Sequence, residues 1–235
     1  FWTDLETRGW GDLADLHWVD PRIPDGRFTG GAQIDVAGRV GVGLRDLRVE
    51  LEASDVLFDG RAVFDDRMVL DGMAVTASPV TLDRLEPWLE RDIPLDGWLS
   101  GDGVFDGTLD DLTGRGRMTL VPTGYGGQAT TVEFEGNVRM GRGARDFRAR
   151  LQPLNYDVLV AFWPELPWAG QGDATVELDG DLDEGLDVRA LLNHRAVSAD
   201  PSIVEARGTL WRGADDGWVT DLDLDLQPLS VAMFA

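Results

Sequence analysis

The chain has neither cysteine nor lysine. Without cysteine it can form no disulfide, no thiolate zinc site and no cysteine nucleophile. Without lysine it has no residue for a phosphate-binding Walker loop or for Schiff-base chemistry. Histidine is nearly absent too: His17 and His194 lie far apart, and neither belongs to an H-x-x-x-H or H-E-x-x-H pattern. No G-x-S-x-G nucleophile elbow occurs. Carboxylates are so abundant that no particular pair stands out for glycosidase-type acid–base work. The run Asp179-Gly180-Asp181-Leu182-Asp183-Glu184-Gly185 resembles the start of a calcium loop. Its glycine falls one place late, however, and position twelve would be Ala190, so an ordinary hairpin turn is the better reading. The chain therefore reads as a non-enzyme with no catalytic residue, no metal ligand set and no cofactor.

Long apolar runs are missing as well. No stretch approaches 18 consecutive apolar residues, and no charged-then-apolar leader opens the sequence, so neither a helical membrane span nor a signal peptide is legible. Positive charge is scarce: 21 arginines face 43 acidic residues, for a net charge of -22. Such a chain repels phosphate backbones and anionic head groups at long range, which disfavours nucleic acid as a partner.

What is present is a repeat. LQPL occurs at 151–154 and again at 226–229, 75 residues apart, and Pro79 stands 74 residues before Pro153. Three apolar, helix-like segments, DLADLHWVDPRIPDG, LDRLEPWLERDIPLDG and YDVLVAFWPELPWAG, align on Pro24, Pro94 and Pro167, and each ends in glycine. Each is followed by glycine-punctuated alternation: RFTGGAQIDVAG, WLSGDGVFDGTL and QGDATVELDGDL. A period near 75 argues for stacked units rather than one large domain. It divides the chain into 1–26, the end of a preceding unit with its short helix; 27–96; 97–169; and 170–235, a third unit and the start of the next. On this reading the sequence is an excerpt of a longer repeat protein.

Between the helix-like segments, about a dozen strands are expected, separated by glycine, Asp-Gly or Asp-Asp turns. Their side chains alternate. In VTDLDLDLQ, leucines 222, 224 and 226 point one way and aspartates 221, 223 and 225 the other. The same holds for Val132 and Phe134 against Glu133 and Glu135, for Phe147 and Leu151 against Arg148 and Arg150, and for Val176 and Leu178 against Glu177 and Asp179. A one-sided antiparallel sheet must cover its apolar face. Twelve strands extend roughly 55–60 Å across the sheet, and one short helix per unit cannot cover that. Either the sheet closes into a β-sandwich, or it curls into an open trough that leaves its lining for an apolar ligand.

The segments PVTLDRLEPWLERDIPLDGWLSGDGVFDGTLDDLTGRGRMTL and PLNYDVLVAFWPELPWAGQGDATVELDGDL, with their proline-leucine-glycine turn, spaced glycines and hairpin run, resemble the repeating segments of AsmA-like and TamB-like envelope proteins of diderm bacteria. The resemblance covers residues 12 to 235. It implies a curled, taco-shaped antiparallel sheet with an elongated hydrophobic groove, in a protein anchored in the inner membrane and reaching across the periplasm. The groove would carry phospholipid acyl chains between the membranes or assist outer-membrane protein assembly. Its lining would be Met118, Leu120, Phe134, Phe147, Leu151, Val176, Leu178, Leu222, Leu224 and Leu226. Two other functions compete. Free β-edges could pair with nascent outer-membrane strands, or exposed indoles among the nine tryptophans could stack on carbohydrate. Six of the nine, Trp10, Trp18, Trp88, Trp98, Trp163 and Trp168, lie in or beside the helix-like segments, where a structural role is simpler. Trp211 and Trp218 flank a strand turn.

Overall fold

The computed structural model describes residues 4–16, 25–35, 40–64, 67–84, 86, 93–123, 128–162, 170–195, 202–213 and 217–227. Thirteen strands dominate: β1 (Asp4–Asp12), β2 (Arg27–Asp35), β3 (Val40–Leu51), β4 (Ser54–Phe64), β5 (Met68–Thr81), β6 (Gly97–Thr108), β7 (Asp111–Pro122), β8 (Thr130–Arg139), β9 (Gly143–Asn155), β10 (Gln171–Asp181), β11 (Gly185–Arg195), β12 (Ser202–Arg212) and β13 (Trp218–Gln227). They form one sheet in chain order, with β1 and β13 as its outer strands, and every described register is antiparallel. The fold is thus all-β and open, and the closed sandwich is not formed. Two compact units are distinguished, Phe1–Met118 and Thr119–Ala235.

Each of the three helix-like segments opens on a helical turn directly after a strand. Leu13–Leu16 and Leu82–Arg84 are 3-10 turns, and α1 (Tyr156–Phe162) is an α-helix. Trp18, Trp88, Trp163, Trp168 and the prolines Pro24 and Pro167 lie outside the described residues, as does His17. The first and third segments close at their base. Leu13 N–H donates to the Gly26 carbonyl at 2.9 Å, and Tyr156 N–H to the Gly170 carbonyl at 3.2 Å. The chain therefore leaves the sheet and returns at nearly the same point. A side chain at Gly26 would meet the Glu50 carbonyl at 2.5 Å, which accounts for glycine there.

Four strands follow each segment: β2–β5, β6–β9 and β10–β13. The third strand of each group begins on a buried hydroxyl residue, namely Ser54, Thr130 and Ser202. In the first group Ser54 Oγ accepts the N–H of Thr81 at 3.2 Å; in the second, Thr130 Oγ1 accepts the N–H of Asn155 at 2.9 Å. The period of the sequence is thus also a period of buried hydrogen bonds.

Two local expectations are corrected. The opening 1–26, expected as the end of a preceding unit with a short helix, has only a 3-10 turn at Leu13–Leu16 and before it forms β1, with Trp10 four-fifths exposed on it. The Asp-Gly pairs, expected at turns, lie inside strands. At Asp59, Asp106 and Asp179, two residues of the neighbouring strand oppose the single aspartate, forming β-bulges in β3, β5 and β9. The second bulged residue has positive φ each time (Asp46 48°, Gly72 59°, Asp146 47°). Its N–H donates to the opposing aspartate, to Asp59 Oδ2 at 3.3 Å, Asp106 Oδ1 at 2.7 Å and Asp179 Oδ1 at 3.0 Å. An N–H turned out of the ladder by the bulge needs an acceptor, and the carboxylate supplies it. The described hairpin turns use other chemistry. Leu51 and Ser54 pair across two residues. Asp111 N–H donates to Thr108 Oγ1 at 3.2 Å, and Asp183 N–H to Asp181 Oδ1 at 3.0 Å, an Asx-type turn.

Candidate functional site

Register fixes which residues share a face, because directly opposed residues point the same way. In the second unit two apolar ladders cross β8 to β13 and a third crosses β9 to β13. The first is Val132, Leu151, Ala174, Leu192, Val204 and Leu226; the second is Phe134, Ala149, Val176, Ala190, Ala206 and Leu224. The third runs from Phe147 through Leu178, Val188 and Gly208 to Leu222. Eight of the ten expected lining residues, all but Met118 and Leu120, therefore lie on one face. Leu120 joins them by alternation: its neighbour Thr119 lies 3.3 Å, hydroxyl to hydroxyl, from Thr131, which is on the opposite face of β8. Met118 belongs to the first unit, where its Cα approaches the Cβ position of Gly101 to 2.8 Å. The sequence reading missed Ala149, Val188, Ala190, Val204 and Ala206. The alternations LDVRA and SIVEARG carried the signal.

Two buried clusters pack on this face. One comprises Leu154, Tyr156, Ala174 and Leu192, with Leu151, Leu159 and Val204 against it. The other comprises Ala144, Leu182 and Leu186, with Phe147, Leu178, Val188 and Leu210 against it. The middle ladder belongs to neither. Its inner members are half-buried, and Leu224, at its β13 end, is 60 % exposed. Turns tie down the second cluster: Leu182 N–H donates to the Arg142 carbonyl at 2.6 Å, and Arg139 Nη1 lies 3.1 Å from Asp181 Oδ2. Those carboxylates of the calcium-like run are thus used within the protein. No group of three or more acidic or histidine side chains able to hold a metal occurs among the described residues.

The opposite face is charged. One ladder reads Glu135, Arg148, Glu177, Arg189, Arg207 and Asp223. Arg148 Nε lies 3.5 Å from Glu177, and Arg207 pairs with Glu205 along the strand. A shallow hollow of about 370 Å³ there is lined by Thr175, Glu177, Arg189, Leu191, Glu205 and Arg207. In the first unit Arg48 pairs with Asp55, whose hydrogen bond and charge raise its pKa further. Water and salt screen exposed pairs of this kind, so their main effect is solubility.

His194 lies at the end of β11 and is fully buried. Its Nδ1 lies 3.0 Å from the Tyr156 hydroxyl, with the rings stacked at 5.5 Å and 19°. The hydroxyl fits because Gly172, opposite His194 on β10, has no Cβ; one there would lie 2.6 Å from the Tyr156 oxygen. Burial, reinforced by the charge of Asp173, pushes the Tyr156 hydroxyl up to about 12. Burial lowers the pKa of His194 below its ordinary value. Asn155 caps α1, its Oδ1 accepting the N–H of Asp157 at 3.1 Å. Of the described tryptophans, Trp10, Trp98 and Trp218 are exposed on β1, β6 and β13, and Trp211 is half-buried, donating to the Glu184 carbonyl at 3.3 Å. Trp10 and Trp218 lie on the two outer strands of the sheet.

Compared with known proteins, the chain matches no family model, no curated protein and no solved structure.

Proposed function

We propose that the apolar face of the second unit binds hydrocarbon chains, and that the protein serves as a segment of a groove that carries phospholipid between the membranes of a bacterial envelope. The observation that carries this reading is the set of three apolar ladders, continuous over five or six strands yet half-buried along their middle. A sheet with a packed second layer would bury Phe134, Val176 and Ala190 outright; here they retain access to solvent. Each CH₂ transferred from water to such a face gains about 0.8 kcal/mol. Because the face repeats one chemistry from strand to strand, a chain can shift along it without meeting a deep trap. The resemblance of the repeat segments to AsmA-like and TamB-like proteins supports the envelope setting and a membrane anchor outside this sequence. Carriage needs no catalytic residue and no cofactor.

The test is native mass spectrometry with lipid extraction on the protein purified from bacterial membranes under mild conditions. Heterogeneous phospholipid should co-purify, and it should be lost from the folded double variant Leu178→Asp, Leu224→Asp. A folded wild-type protein that carries no lipid and takes up none from vesicles overturns the reading. Pairing of its strand edges with outer-membrane segments, β13 having all ten residues exposed, would then be the function to pursue.

A further inference from the structure

Tyr156 begins α1 and is wholly buried, and its hydroxyl meets a histidine that is 1 % exposed. The other ring nitrogen, Nε2 of His194, is buried with no hydrogen-bond partner. Around the pair, β10 presents Gly172, β12 presents Ser202 directly opposite His194, and β9 presents Asn155, which is neutral and turned to α1. The charged group that acts on the pair is Asp173, next to Gly172, and it acts on Tyr156. Among the described residues, nothing in this arrangement compensates a positive charge on the ring. A protonated imidazole carries two N–H donors, and here Nε2–H would be buried, charged and without an acceptor, which is strongly disfavoured.

We propose that Tyr156 and His194 form an acid-released latch that holds α1 against the sheet. Protonation of His194 demands water, and water reaches it only when Tyr156 lifts out, because Tyr156, Leu154 and Leu192 enclose the site as one buried cluster. The helix is seven residues long, attached at its start by the Tyr156 N–H bond to Gly170 and by the Asn155 cap and packed through Val158 and Leu159, so it can detach as one short unit. Release lays bare Leu154, Ala174 and Leu192 at one end of the apolar face. The sign is fixed by linkage. The released state binds a proton near pH 6.5 and the latched state only below that, so release is favoured increasingly as pH falls below about 6.5. The latch stands whether or not the face carries lipid.

Hydrogen exchange read by mass spectrometry on the intact chain tests it. After correction for intrinsic exchange, the amides of 156–162 should lose about tenfold in protection between pH 7.5 and pH 5 while those of β10 do not. In His194→Asn, which keeps a neutral group near Nδ1, the loss should disappear. In parallel, NMR titration of the wild-type imidazole should find His194 protonating only over the pH range in which 156–162 opens, a measurement that needs no variant. Protonation of His194 with undiminished protection of 156–162, or the same pH response in wild type and His194→Asn, overturns the proposal.

Discussion

At the scale of single residues, the stability of the repeat rests on polar groups that alternation alone does not reveal. Thr130 is 1 % exposed, and its hydroxyl is the acceptor for the N–H of Asn155, the residue that also caps α1. Thr130→Ala leaves that N–H buried and unpaired. It should cost about 1–3 kcal/mol, whereas Thr130→Ser, which keeps the oxygen, should cost less; urea unfolding of the two variants measures the difference. Gly136 illustrates a second constraint. At φ 126° its Cβ would stand 2.4 Å from the Cα of Phe147, so the glycine in VEFEGNV is required by the close approach of β9. From the sequence alone, Thr130 was one hydroxyl among many and His194 a residue beside a turn. Both acquire meaning only from residues 25 and 38 positions away, on a strand and on a helix, a separation that local pattern cannot span.

At the scale of elements, alternation was a reliable guide and turn chemistry was not. The strands in 40–64 and 68–81 were legible because period-two hydrophobicity reports directly on which side chains face the same way. The Asp-Gly pairs misled because the same dipeptide serves a hairpin turn and a bulge partner, and only the strand opposite decides which. Asp179 tests the bulge. Asp179→Ala removes the acceptor for the Asp146 N–H and should lower stability by about 1 kcal/mol. Asp179→Asn, which keeps a carbonyl oxygen in place, should lie near wild type, and unfolding midpoints at equal m-value separate the cases. The apolar face was legible as a face, and eight of its ten proposed lining positions are joined by register in one unit. What remained hidden was its division into two packed clusters with an unpacked ladder between them, which depends on Leu182 and Tyr156 reaching in from a turn and a helix.

At the scale of the whole molecule, 43 acidic residues against 21 arginines leave a net charge of -22 that no local pairing removes. Self-repulsion opposes folding, and salt screens it, the Debye length falling from about 30 Å at 0.01 M to about 10 Å at 0.1 M. The thermal midpoint should therefore rise when sodium chloride is raised across that range; a midpoint that stays level or falls would mean the surface ion pairs outweigh the net repulsion. Repetition adds a further property. Because the first and third linking segments are pinched shut at the base by one main-chain bond, Leu13 to Gly26 and Tyr156 to Gly170, their length is uncoupled from the spacing of the strands they join. Closing a longer chain segment costs only about 0.6 kcal/mol for each doubling of its length. The register of β9 against β10 is accordingly set by the two strands and by the bond that closes the segment, and not by the length of chain that the bond encloses.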